Sequence, residues 1–180
     1  MWDLMNNHLI SIKIVEDLFD GIDSDLSKKV QLDNKKDLLI YSYRVAGTVG
    51  LMMAKILDVK DQNSIKAAID LGIAMQLTNI SRDVVEDSNI NRFYIKNDFE
   101  TISTTLTLAD LFYKSSFTAI KEIPFKFRFA ILVARRVYRR IGHKILRTKN
   151  IETYNKAGKI YVNKVEKIFQ TIFSIFDLIT

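Results

Sequence analysis

The sequence predicts an all-α helical bundle, and three observations lead there. Only one Pro and six Gly fall in 180 residues, so the chain has few interruptions. Apolar residues recur at three- and four-residue spacing over long stretches. No stretch shows the alternating apolar and polar pattern of a half-buried strand. With 48% hydrophobic and 27% charged residues the composition is globular, and the length suits one domain, residues 1–180, with a sizeable core.

Asn7 to Phe19 reads as a first helix, with Leu9, Ile12 and Phe19 at helical spacing. Asp20 to Asp25 reads as a helix end and turn. It is no calcium loop, because the required ligand series ending in a Glu is absent. Ser27 to Asp37 is polar and Lys-rich, a surface connection. Leu38 to Leu57 is a long helix with a smooth run from Val45 to Gly50. Small residues there let another helix, or a flat apolar ligand, approach the backbone; taken alone, the pattern favours helix packing. A turn at Asp58 to Ser64, with Asn63 or Ser64 as N-cap, leads into a helix from Ile65 to Asp87. Ser88 to Asn91 breaks it. Asp98 to Thr107, rich in Thr and Ser, reads as a loop or short turn. Leu108 to Lys121 is a helix with Leu111, Phe112, Ser115 and Ala119 on one face. Pro124 suits the first turn of the next helix, Phe125 to about Leu146. That helix turns Phe129, Leu132, Val133, Val137, Ile141 and Ile145 inward and carries Arg135, Arg136, Arg139, Arg140, Lys144 and Arg147 mostly elsewhere. Such a basic face is ordinarily a solvated one. A last helix from Tyr154 carries Val162, Val165, Ile168, Phe169, Ile172, Phe173 and Phe176 as its apolar side.

The most informative stretch is Leu71 to Tyr94, LGIAMQLTNISRDVVEDSNINRFY. On a helix, Gly72, Gln76, Asn79, Asp83 and Asp87 share one face, because they are spaced by four, three, four and four residues. Ile73, Ala74, Leu77, Ile80 and Val84 make much of the remaining surface apolar. Buried acids are costly unless paired or bound to a metal, and two acids one turn apart repel. A divalent cation removes both objections. Mg²⁺ takes oxygen ligands, needs few from the protein and often bridges to phosphates. Arg82 can pair with Asp83 or grip a phosphate as a two-pronged fork.

These residues resemble the second aspartate-rich motif of the squalene/phytoene synthase family. Upstream, YSYRVAGTVGL from Tyr41 to Leu51 resembles that family's other signature, in the family's order and at about its spacing. The wording is more similar to phytoene synthases than to squalene synthases. Lys96 stands where the family's run usually ends in Pro. The resemblance covers nearly the whole chain and the later part of a usual family member. It implies an all-α bundle of the isoprenoid synthase type around an apolar cavity, incomplete at its N-terminus. It implies head-to-head joining of two prenyl diphosphates, here geranylgeranyl diphosphate to phytoene in carotenoid biosynthesis. In it, Asn79, Asp83 and Asp87 hold Mg²⁺, or Mn²⁺ in its place. Gln76 and Arg82 touch the diphosphate. Val45, Ala46 and Gly50 line the prenyl channel with Tyr41, and Tyr41 and Tyr138 sit near the reacting ends.

Family members also carry an earlier Asp-x-x-x-Asp facing this one. The chain is expected to start after that motif, so the metal cluster is half built. It is then expected to need a second chain supplying the missing helices, or to serve as a non-catalytic assembly or binding protein that keeps the fold. Charge narrows the partners. Residues 1–90 hold 10 Lys/Arg against 14 Asp/Glu, and residues 91–180 hold 17 against 7. A basic half suits diphosphates, an anionic membrane surface or nucleic acid. The last lacks any recognised motif, and no nucleic-acid role is expected. No apolar run reaches the roughly 20 residues that span a bilayer, and Met1 to Ile10 lacks a signal peptide. A cytoplasmic protein, at most peripheral to a membrane, is expected. There is no Cys, and His8 and His143 lack metal-ligand spacing.

Overall fold

The computed structural model describes residues 2–120 and 123–179. It opens with α1 (Trp2–Asn7) and α2 (Ile12–Ser24), separated by a break at which Leu9 takes φ 52°. The first helix therefore starts later than the periodicity suggests and runs through the acidic segment, which is not a turn. Gly21 explains why. It lies against the Tyr43–Gly47 turn, where a Cβ would come 2.8 Å from Arg44 Cβ and Val45 Cγ1. The glycine serves a close helix crossing rather than a bend.

The polar connection contains β1 (Val30–Gln31), which pairs in parallel with β2 (Arg92–Phe93). Two-residue strands are too short to leave an alternation in the sequence. They matter because they hold the Arg92-Phe93-Tyr94 segment beside the end of α2. Arg92 reinforces this by donating to the carbonyls of Ser27, at 3.0 Å, and Asp25.

The long second helix is three pieces in one path: α3 (Lys35–Ser42), a π-helical turn over Tyr43–Gly47, and α4 (Thr48–Ile56). The wide turn sits on the YRVAG residues, as π-bulges often sit at functional positions. Asp61 caps α5 (Gln62–Arg82) by accepting from the Ser64 N–H at 2.8 Å, displacing the expected Asn63 or Ser64. α5 crosses α4 at backbone contact. A Cβ on Gly72 would come 2.3 Å from the Ala46 carbonyl oxygen, and one on Gly50 would come 2.1 Å from that of Ala68. Buried Ile73, Ala74, Leu77 and Ile80 make α5 the centre of the core, with Tyr113 and Ala109 against them.

α6 (Val84–Asn89) follows after a one-residue step at Asp83. α7 (Phe99–Thr118) begins where a loop was expected. Asp98 caps it through the Thr101 N–H at 2.8 Å and hydroxyl at 2.9 Å, and the Thr105 and Thr107 hydroxyls bond back one turn. Its buried face is Ile102, Leu106, Ala109, Tyr113 and Ser116, while Leu111 is 58% exposed. Lys121, the expected end of this helix, lies outside the described residues. α8 (Phe125–Leu146) has the expected bounds and buries Leu132, Ile141 and Ile145, together with Arg135.

The terminal helix is two, α9 (Ile151–Ala157) and α10 (Lys164–Ile179), parted at Gly158 with φ 62°. The expected interior face of α10 is not interior: Val165, Ile168, Phe169, Ile172, Phe173 and Phe176 are exposed, and only Val162, ahead of the helix, is buried. Among the described residues no helix is long and apolar enough to cross a membrane.

Candidate functional site

A cavity of about 550 Å³ opens between α4, α5 and α8. That is within the range of small-molecule pockets, and its walls are apolar. Val45, Ala46 and Gly50 supply one side, with Leu71, Gly72 and Met75 of α5 beside them and Ile131 and Ala134 of α8 across. The smooth run from Val45 to Gly50 packs against a helix and also borders open space. Gly50 meets the α5 backbone, and the same surface lines the cavity.

Two polar side chains of α5, Gln76 and Asn79, belong to this lining. Asn79 Oδ1 is buried and has no hydrogen-bond partner among the described residues. A buried carboxamide oxygen left unpaired costs about 1–3 kcal/mol, so a ligand that answered it would bind with that advantage.

The acids follow directly. Asp83 leaves helical geometry (φ −103°, ψ 13°), yet its N–H still donates to Asn79 O at 2.9 Å and the Asp87 N–H to Asp83 O at 2.8 Å. The one-turn spacing from Asn79 through Asp83 to Asp87 therefore survives the step. Arg82 grips Asp83 with both prongs, Nε at 2.8 Å and Nη2 at 2.5 Å. Lys159 adds a contact to Asp83 at 3.1 Å and another to Glu86 at 3.3 Å. Burial pushes Asp83 up, but the hydrogen bonds and charge of Arg82 and Lys159 outweigh it and hold the carboxyl below its ordinary value. Asp87 goes the other way. Burial, then the charges of Asp83 and Glu86, push it up to about 6. Two acids one turn apart are thus shifted in opposite directions by their surroundings.

A second cluster stands within electrostatic reach of Asp87. The Tyr41 hydroxyl donates to Asp25 Oδ2 at 2.7 Å and the Tyr94 hydroxyl to Asp25 Oδ1 at 2.7 Å. The two rings stack with centroids 4.7 Å apart. Burial and these bonds raise both phenols, so both stay protonated. Tyr41 is therefore engaged by Asp25 and does not line the apolar cavity. Tyr138 is half-buried between two core clusters and within electrostatic reach of Arg82. Asp25, Tyr94 and Lys159 escaped the sequence reading. Tyr94 had a signal, its place in the RFY run; Asp25 looked like a turn residue, and Lys159 lies far from its partner in sequence. Tyr154 also escaped it. Its hydroxyl is shared between the carbonyls of Ser81, at 3.0 Å, and Arg82, at 2.9 Å, which satisfies the end of α5.

The donor set of Asn79, Asp83 and Asp87 fits a hard cation that prefers oxygen. Among the described residues no group of three His, Cys, Asp or Glu converges on one point. A second Asp-x-x-x-Asp spacing does occur, Asp33 to Asp37, but it serves helix capping. Asn34 caps α3 by accepting from the Asp37 N–H at 3.0 Å, and its amide donates to the Asp37 carboxylate at 2.8 Å.

Residues 2–99 match the family described as squalene/phytoene synthase. The 15-cis-phytoene synthase of Paracoccus sp. (strain N81106 / MBIC 01143) is 35% identical over 170 residues, covering 84% of this chain and 55% of that protein. A phytoene synthase of Pseudescherichia vulneris is 33% identical over 159 residues, covering 77% and 51%. Among solved structures, a dehydrosqualene synthase in complex with ligand matches with TM-score 0.72 at 27% identity, over 93% of this chain and 65% of that one. The chain spans about half the length of the curated relatives it matches.

Proposed function

Because the chain belongs to the squalene/phytoene synthase family and has its all-α isoprenoid synthase fold, we propose that it carries one wall of a site for head-to-head condensation of two prenyl diphosphates, with geranylgeranyl diphosphate as substrate and phytoene as product. The observation that carries this reading is Asn79, a cavity-lining residue one turn before Asp83 whose buried side-chain oxygen has no partner among the described residues.

Each residue then has a task. Asn79, Asp83 and Asp87 would hold Mg²⁺, or Mn²⁺, which when bound draws charge from the leaving diphosphate so that the allylic C–O bond ionises. Gln76 donates to a diphosphate oxygen at the cavity wall. Arg82 and Lys159 keep Asp83 ionised and ready to ligate, and Arg82 can turn its fork to a phosphate once Asp83 is engaged. The run Val45, Ala46 and Gly50 accommodates the prenyl chain and keeps water from the cation. Asp25 holds the hydroxyls of Tyr41 and Tyr94, which fixes their ring faces; an aromatic face steadies a passing carbocation. Tyr138 contributes a further ring near Arg82.

One carboxylate pair does not complete the metal shell. We therefore expect full turnover to need a second helical segment bearing carboxylates, whether in the same chain or another. The bared apolar face of α10 offers further support, because such a segment, or a membrane surface, would cover it. A purely structural role has less support, since it would leave the buried Asn79 oxygen and the acids Asp83 and Asp87 that follow α5 without purpose.

The test is incubation with geranylgeranyl diphosphate and Mg²⁺, lipid extraction and a search for phytoene, with Asp83→Ala as control. Phytoene that disappears in the control supports the reading. If phytoene forms equally with Asp83→Ala, the site assignment is wrong.

A further inference from the structure

Helix α8 holds charge that the prenyl site does not use. Between α7, α8 and α10 lies a second cavity of about 480 Å³, which shares no lining residue with the apolar one. Lys114, Arg135, Arg136, Arg139 and Arg140 line it. Three carboxylates answer most of this charge. Asp177 takes Arg136, Asp110 takes Arg139 and Lys114, and Glu166 takes Arg140 and Lys144.

Arg135 is left over. It is 5% exposed, and no carboxylate pairs with it among the described residues. Its Nε and Nη2 both donate to the Tyr113 carbonyl, at 3.0 and 2.8 Å, and its guanidinium lies 4.5 Å from the Phe117 ring centroid. Burial, then the charge of Arg139, lower its pKa to about 10, although the nearby Asp177 charge, already bound to Arg136, acts the other way. In the same cavity Arg140 Nε is buried without a partner. His143 adds no charge, because burial and Arg139 keep it neutral at pH 7. A buried cation with no carboxylate in direct contact is costly. Here two such guanidinium groups, each with an N–H side not fully paired, meet one cavity.

We propose that this cavity binds a phosphate anion, a di- or triphosphate group or the phosphomonoester headgroup of a lipid, through Arg135 and Arg140. Planar guanidinium forks suit phosphate oxygens. Phe117 and Phe173 wall the cavity and lower its local dielectric, which strengthens each charged hydrogen bond. The site stands apart from Asn79, Asp83 and Asp87 and does not depend on the prenyl reading.

The probe is inorganic triphosphate, titrated calorimetrically into the full chain in EDTA at constant ionic strength. EDTA silences any divalent-metal site, so failure here and failure of the prenyl reading are separate results. We expect saturable one-to-one binding, weakened roughly tenfold or more by Arg135→Gln and unchanged by Asp83→Ala. Because Arg135→Gln alters a buried residue, Gln170→Glu is the second variant. It places a carboxylate on the cavity wall. It should raise the Tm of the ligand-free protein and abolish the further rise that triphosphate gives. Flotation with phosphatidylcholine vesicles, with and without phosphatidic acid, separates the sources. Phosphatidate-dependent flotation lost in Gln170→Glu identifies a headgroup; triphosphate binding without flotation identifies a soluble phosphate. Binding of neither probe, binding indifferent to Gln170→Glu, or binding lost with Asp83→Ala overturns the proposal.

Discussion

The pair α4–α5 and the pair α8–α10 are joined by opposite chemistry. α4 and α5 meet where glycines remove the side chains, so that Gly50 and Gly72 bring carbonyl oxygens within 2.1 and 2.3 Å of where a Cβ would stand. Beside that contact the chain leaves an apolar cavity with the amide side chains Gln76 and Asn79 along α5. α8 and α10 meet through charges: Arg136 with Asp177, and Arg140 and Lys144 with Glu166. There α10 turns its polar side to the protein and its apolar side out. The first pair is fixed by shape and has no freedom to adjust. The second is fixed by side chains whose partners water can replace.

The largest effect should come from filling the close contact. Gly72→Val would drive branched atoms into the Ala46 carbonyl, where backbone and not a flexible side chain must yield. Overpacking of this kind costs about 3 kcal/mol or more. Urea unfolding should show that loss or no folded protein at all; a variant as stable as the parent would mean that α4 and α5 are not held at backbone contact. Next in size is Tyr154→Phe, which strips the phenol donor from the carbonyls of Ser81 and Arg82 at the end of α5. Leaving a buried acceptor unanswered costs about 1–2 kcal/mol. The same measurement reads it, and a change below about 0.3 kcal/mol would show that the step at Asp83 is held by other contacts.

The two regions also differ in how far the sequence disclosed them. The α5 face was legible because its residues keep strict helical spacing: Gln76, Asn79, Asp83 and Asp87 fall in line even across the step at Asp83. α8 was legible in its bounds, with Pro124 ahead of it and apolar residues repeating to Ile145. Three things were not. Asp98 to Thr107 looks like a loop by composition, yet the same Thr hydroxyls fold back onto the helix they seem to interrupt. Asp25 meets Tyr41 and Tyr94 only because two very short strands bring distant segments together. α10 has the apolar stripe of a core helix, and nothing in its own sequence says that the arginines of α8 compete for its other side. Periodicity reports that a helix has two faces; the neighbour decides which one turns inward.

Asp177→Asn tests the charged pair at moderate scale. Arg136 and Asp177 are partly buried, with Nη2 donating to Oδ1 at 2.6 Å. We expect a loss of about 0.5–1 kcal/mol at low salt. The loss should shrink toward zero in 1 M salt, where screening falls within a contact distance. A salt-independent loss above about 2 kcal/mol would place this pair with the rigid contacts of α4 and α5, and the contrast between the two regions would fail.

The smallest effect on stability belongs to the outer side of α10. Ile168 is 60% and Phe176 62% exposed. Replacing both by Ser removes little buried area, so unfolding should move by no more than about 0.5 kcal/mol. Association should change much more, because several large apolar side chains on one helix face form a patch of the size that monomers seldom leave bare. Sedimentation of the parent chain should show self-association that the double variant loses at equal stability. Equal stability with unchanged sedimentation would mean that this face is inert in the isolated chain. A large loss of stability would mean that α10 buries its apolar side after all, and that the polar seam with α8 is the weaker of its two contacts.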